Sequence, residues 1–191
     1  RDCDSNGIPD VCELSLRDCE GDAIVDACQD GSGPFLFTPP NLYSAGYQTA
    51  AVDLDADRLT DLVTVGRNHI RVFRNQGGGR LAWGERIDAY GCQTVAAGDL
   101  DGDGDGDLVA CAFDDVGRRY EIFVFLNGGL AGFAQTQVLP VAWQAVSLLV
   151  RDLDGDGAPD LSMTIHATSE LWVFWNDGRG ALVPDPQKVP T

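Results

Sequence analysis

An all-β fold made of repeated four-stranded sheets is what the sequence predicts, and three observations predict it. The 191 residues include 23 glycines and a single methionine, which suits a turn-rich β protein better than a helical bundle. The pattern D-L-D-x-D-x-x-x-D-L occurs three times, in "DLDADRLTDLV" from Asp53, "DLDGDGDGDLV" from Asp99 and "DLDGDGAPDLS" from Asp152. The same succession of short apolar runs surrounds each copy, and the first aspartates of successive copies stand 46 and 53 residues apart.

The elements of each unit follow in a fixed order. "QTAAVDL", "QTVAAGDL" and "AVSLLVRDL" lead into the loops. "DLVTVG", "DLVACA" and "DLSMTI" leave them. A second run ends in asparagine in every copy: "IRVFRN", "IFVFLN", "LWVFWN". Glycine-rich turns come next, then "LAWGERI", "FAQTQVL" and "ALVPDPQKV". Each unit therefore reads strand, Asp loop, strand, turn, strand, glycine turn, strand. Four short strands in about 45–50 residues are the mark of a β-propeller blade. The expected blades are residues 42–87, 88–139 and 140–189, within a region 32–191 that also holds a spare leading strand at 33–42. Residues 1–31 form a separate Cys-rich segment of tandem loops.

The loops pose an electrostatic problem. Asp99, Asp101, Asp103, Asp105 and Asp107 fall within nine residues. Two unit charges 4 Å apart repel by about 1 kcal/mol in water and about 4 at an effective dielectric near 20. Asp and Gly disfavour strands, and interleaved glycines disfavour a helix. A loop wrapped around a cation removes the conflict. D-x-D-x-D-G-x-x-D offers side-chain oxygens at positions 1, 3, 5 and 9 and a backbone carbonyl at 7, which is the opening of an EF-hand-type calcium loop.

On these residues the units resemble FG-GAP/VCBS repeats, the calcium-binding blades of integrin α-like propellers, over about residues 42–189. The resemblance implies calcium held by Asp53, Asp55, Asp57 and Asp61 in the first blade. In the second it implies Asp99, Asp101, Asp103 and Asp107, and in the third Asp152, Asp154, Asp156 and Asp160. The carbonyls of Leu59, Asp105 and Ala158 stand at position 7. Ala56 and Arg58 replace the glycines of the other loops, so the first site is expected to be weakest. Thr64, Ala110 and Met163 occupy position 12, where an EF-hand has Glu, so water or a neighbour must complete each shell.

The segment "RDCDSNGIPDVCELSLRDCEGDAIVDACQD" repeats with a 16-residue period. Its first copy is a full calcium loop: Asp2, Asp4, Asn6, the Ile8 carbonyl, Asp10 and Glu13. The second offers Asp18, Glu20, Asp22, the Ile24 carbonyl and Asp26, but has Ala23 for glycine and Gln29 for Glu. It resembles thrombospondin type 3 repeats. It resembles dockerin modules less, since only Leu14–Arg17 separates the loops and leaves no room for the dockerin helix. Each copy carries its own cysteine pair, which favours Cys3–Cys12 and Cys19–Cys28, with pairing between copies left open. Cys92 and Cys111 fall on adjacent strands of the second blade, as a disulfide or as two buried thiols.

Six cysteines, four of them in the first 28 residues, point to an oxidising compartment, extracellular or at the cell surface. The net charge of −17 argues against nucleic acid as a partner and against unaided adsorption to an anionic membrane. No apolar run is long enough to span a bilayer. The chain opens at Arg1 inside a motif, which reads as a processed or trimmed product. The expected cofactor is Ca²⁺, at three blade sites and up to two N-terminal ones. His69 and His166 belong to no recognisable catalytic motif, and the aspartates form cages rather than a separated acid–base pair. The chain is therefore read as a non-enzymatic extracellular calcium-binding structural or adhesion protein. It self-assembles as a homo-oligomer or filament through residues 30–44, with a glycan or cell-surface protein as a further partner. The alternatives are a carbohydrate-binding module or polysaccharide-active enzyme using a propeller face, and a fragment of a longer propeller. Trp83, Trp143, Trp172 and Trp175 are the sugar-stacking candidates.

Overall fold

In the computed structural model the chain divides into two units, Arg1–Tyr43 and Ser44–Thr191. The residues described are 48–66, 68–78, 80–129, 132–165 and 167–190, all in the second unit. The tandem loops of 1–31, the spare strand at 33–42 and His166 lie outside the described residues.

Among the described residues, twelve strands form three four-stranded antiparallel meanders. The first is β1 (Gln48–Val52), β2 (Asp61–Gly66), β3 (His69–Asn75) and β4 (Leu81–Asp88). The second is β5 (Cys92–Gly98), β6 (Asp107–Asp114), β7 (Arg119–Asn127) and β8 (Phe133–Val141). The third is β9 (Ala145–Arg151), β10 (Asp160–Ile165), β11 (Glu170–Phe174) and β12 (Gln187–Pro190). The Asp loops join the first two strands of each sheet. β5 packs beside both β1 and β9, so the leading strands line up as in consecutive propeller blades. The all-β, blade-like fold expected from the repeats is what the chain adopts.

Alternation explains the layering, because successive side chains of a strand point to opposite faces. On β6, Leu108, Ala110 and Ala112 join a core with Leu54, Val63, Val65, Ile70 and Val72 of the first sheet. Val109 and Cys111 join a second core with Leu148, Val150, Leu161, Met163 and Phe174 of the third. The middle blade is thus buried on both faces, which is why "DLVACA" reads as a continuous apolar run rather than as an alternating one.

Two expectations need correction. The last strand was read as "ALVPDPQKV", but only Gln187–Pro190 pairs with β11, preceded by an isolated bridge between Asn176 and Leu182. Pro184 and Pro186 have no N–H to give a ladder. Cys92 and Cys111 do not form the bridge that was one of the two readings; both are free and buried. A bulge at Gln93 sets Cys92 opposite Ala112, while Cys111 lies opposite Thr94. Directly opposed residues share a face, so the two thiols belong to different faces and different cores. Burial pushes the Cys92 thiol up to about 12 and that of Cys111 to about 11, a direction that disfavours the thiolate of both.

Candidate metal centres in the aspartate loops

Each loop is folded by its own carboxylates. The position-1 aspartate accepts backbone N–H groups from across the turn. Asp99 takes those of Gly102 (2.8 Å) and Gly104 (3.1 Å), and Asp152 takes those of Gly155 (2.7 Å) and Gly157 (3.1 Å). These four glycines have φ between 77° and 96°, the left-handed region that side chains resist. The first loop keeps the two positive-φ positions with Ala56 at φ 55° and Arg58 at φ 70°, and Asp53 accepts from Asp55 N at 3.3 Å and from Arg58 N at 2.7 Å. Asp57, Asp103 and Asp156 each accept the N–H two residues on, at 2.7, 2.9 and 2.8 Å.

The position-9 aspartates do more than sequence reasoning assigned them. Asp61, Asp107 and Asp160 are at most 1% exposed. One oxygen of each accepts the loop leucine N–H: Leu54 at 3.0 Å, Leu100 at 2.7 Å and Leu153 at 3.0 Å. The other accepts the N–H of an asparagine at the end of the third strand, Asn75 at 2.7 Å and Asn127 at 2.8 Å, or two residues beyond it, Asn176 at 2.9 Å. Each of these aspartates therefore clamps the Asp loop to the end of the third strand.

Three carboxylate groups come together, the ligand oxygens of each lying within 4.8 Å of one another. They are Asp53, Asp55 and Asp57; Asp99, Asp101 and Asp107; and Asp152, Asp154 and Asp156. Asp61, Asp103, Asp105 and Asp160 are not members of these groups. The donors are all oxygens, which suits a hard cation such as Ca²⁺ or Mg²⁺ and not a metal that seeks nitrogen or sulfur. Electrostatics agree with that fit. Burial pushes the Asp107 carboxyl up to about 6, against the N–H groups of Asn127 and Leu100 and with the charges of Asp101 and Asp103. Burial is also the first cause of the upward shifts of Asp101 and Asp55, with neighbouring carboxylates adding to both. A bound divalent cation reverses the sign of this local field.

The first loop differs by a built-in cation. Arg74 Nη1 lies 3.2 Å from Asp61 and 3.8 Å from Asp55, and Nη2 lies 3.8 Å from Glu85. Leu126 and Trp175 hold the matching positions before Asn127 and Asn176. The N-terminal candidates, Asp2, Asp4, Asn6, Ile8, Asp10, Glu13, Asp18, Glu20, Asp22, Ile24 and Asp26 with Cys3, Cys12, Cys19 and Cys28, lie outside the described residues.

The aromatic candidates are dispersed. Trp172 is 6% exposed, gives its indole N–H to Glu170 at 2.8 Å and lies under Lys188 at 4.3 Å. Trp83 on β4 and Trp143 in the bend between β8 and β9 are exposed. An open depression of about 650 Å³ lies at the opposite end of the sheets from the Asp loops. Among the described residues it is lined by Asn68, Gly91, Cys92, Gln93, Phe113, Asp115 and Gln144, with Asp115 the one acidic side chain of these. Sequence reasoning also missed the asparagine side chains, although their recurrence at the end of every third strand was the available signal.

A chain of the Photorhabdus luminescens Tc holotoxin pore is similar at 24% identity, over 83% of this chain and 7% of that one, with a TM-score of 0.45. The model of the FG-GAP-like repeat matches residues 53–110 and 99–163. These overlapping matches run from Asp53 to Met163, more than half of the sequence, and the chain belongs to the FG-GAP-like repeat family.

Proposed function

We propose that this is an extracellular or cell-surface, calcium-binding structural and adhesion protein, without enzymatic activity, that self-assembles through its blades. The observation that carries the reading is the gathering of three carboxylates in each of three homologous loops. Such crowding is unfavourable without a counterion, and the net charge of −17 makes cations the natural partners. In the calcium form, Asp53, Asp55 and Asp57 hold one ion, Asp99, Asp101 and Asp107 a second, and Asp152, Asp154 and Asp156 a third, while Asp61, Asp107 and Asp160 couple their loops to the third strand of each blade. Calcium supplies positive charge and a fixed coordination number, and the loops convert it into stiffness of the blade stack. Assembly runs through residues 30–44, which supply a strand to a neighbouring copy by β-augmentation.

Two measurements test the reading. Calcium titration followed by calorimetry should show at least two sites, and chelation should lower the melting temperature reversibly; an unchanged melt in excess EDTA sinks the metal reading. Deleting residues 1–42 should abolish association in sedimentation velocity; full association by the shortened chain sinks the role of 30–44.

A further inference from the structure

The blades are joined by a repeating side-chain latch. Asn127 Nδ2 in the second blade donates to the carbonyl of Leu54 in the first (2.7 Å) and to Gly106 in its own (3.1 Å). Asn176 Nδ2 in the third donates to Leu100 in the second (2.7 Å) and to Pro159 in its own (2.9 Å). Each asparagine thus reaches back one blade to the leucine of the preceding Asp loop. Those leucines are sealed in the junctions, Leu54 at 0% and Leu100 at 1% exposed.

Both ends of this ladder are open among the described residues. Asn75 Nδ2 donates only to Thr60 in its own blade, at 3.0 Å, and keeps an N–H without an acceptor in a preceding blade. The Leu153 carbonyl receives no asparagine amide, and Leu153 is 44% exposed. On the same side of the third sheet, register places Leu149, Leu171, Val173 and Val189 on one face, with Leu149 55% and Val189 38% exposed. Ser162 and Thr164 on that face stand where Val109 and Cys111 fill the junction of the second and third blades. The mixture of apolar and hydroxyl groups suits a reversible contact rather than an obligate core.

We propose that this end face of the third blade receives the first blade of a second copy of the chain, with Asn75 of one copy donating to the Leu153 carbonyl of the other. The donor and the acceptor are complementary, and the contact repeats the geometry already used twice within the chain. It is heterologous, with different patches on the two copies, so it generates a closed ring or an open filament. The inference rests on the self-assembly stated above and assigns its second contact.

The test uses the full chain with calcium present, in sedimentation velocity between 1 and about 100 μM. Leu149→Asp spoils one end at an exposed position, and Asn75→Ala spoils the other. Leu149→Asp should weaken association at least about tenfold and Asn75→Ala about threefold, with the Leu149→Asp melting temperature unchanged. A mixture of the two variants should form discrete pairs, because each retains the end that the other lacks. Association that persists in Leu149→Asp but disappears on deleting residues 1–42 overturns this contact and leaves the self-assembly reading standing. A wild-type chain that stays monomeric throughout overturns both.

Discussion

The loops at 53–61 and 99–107 build one hydrogen-bonding frame from two different chemistries. In the second blade, Gly102 and Gly104 take φ of 77° and 96° without strain, and among the described residues no Arg or Lys pairs with the gathered carboxylates of Asp99, Asp101 and Asp107. In the first, Ala56 and Arg58 are forced to positive φ, and Arg74 inserts a guanidinium between Asp55 and Asp61. The conserved element is the hydrogen-bonding frame, with the position-9 aspartate bonded to leucine and asparagine N–H groups in both. What differs is the source of positive charge. On the proposed function one loop would leave it to an ion from solution, whereas the other takes part of it from its own third strand.

Chelation should break this comparison most visibly. A ligand at a hundredfold excess over Kd stabilises the fold by about 2.7 kcal/mol per site, and 1 kcal/mol shifts the melting temperature of a domain this size by roughly 2–4 °C. With the two glycine-bearing loops loaded, EDTA should lower the melting temperature by more than about 10 °C. A smaller drop, confined to one loop's worth, would place the second and third blades closer to the first than their sequences suggest.

The latch comes next in size. Asn127→Ala leaves the buried carbonyls of Leu54 and Gly106 without their donor and should cost about 3 kcal/mol in denaturant unfolding. Asn75→Ala, at the partly exposed end of the ladder, should cost about 1 kcal/mol. Equal costs would show that the bond to the preceding blade adds nothing.

Bound metal ranks the loops directly. Asp101→Ala and Asp154→Ala should each remove about one ion per chain by elemental analysis. Asp55→Ala should remove clearly less, because its loop is strained and already partly neutralised. Equal losses at the three positions would end the distinction between them.

Arg74 sharpens the same point from the other side. Arg74→Leu gives the first blade the residue that precedes Asn127, and the first loop should then bind calcium roughly three- to tenfold more tightly at low ionic strength. No gain in affinity would mean that backbone strain, not the guanidinium, limits this loop. Arg58→Gly isolates that strain and should stabilise the chelated protein by about 1 kcal/mol, read from its unfolding midpoint.

Much of this was legible in the sequence because repetition marks it. Strand order, the Asp loops and the positive-φ strain of the first loop follow from D-L-D-x-D-x-x-x-D-L and from Ala56 and Arg58 alone. Proline chemistry in "VPDP" also sufficed to shorten the last strand, although the apolar residues around it masked the signal. The position-9 carboxylate was read only as a ligand, since spacing reports which oxygens are near a loop and not which N–H groups already hold them.

The sequence by itself determined the three-blade organisation, because local patterning and turn chemistry repeat in phase and each copy folds by the same rules. Tertiary structure alone decided the contacts between copies: the reach of Asn127 to Leu54 and of Asn176 to Leu100, the guanidinium of Arg74 among the carboxylates, and the separation of Cys92 from Cys111. The physical reason is range. Periodicity fixes which face a side chain takes, but a bulge at Gln93 moves one thiol to the other face, and a hydrogen bond across 73 or 76 residues forms only once two sheets have stacked.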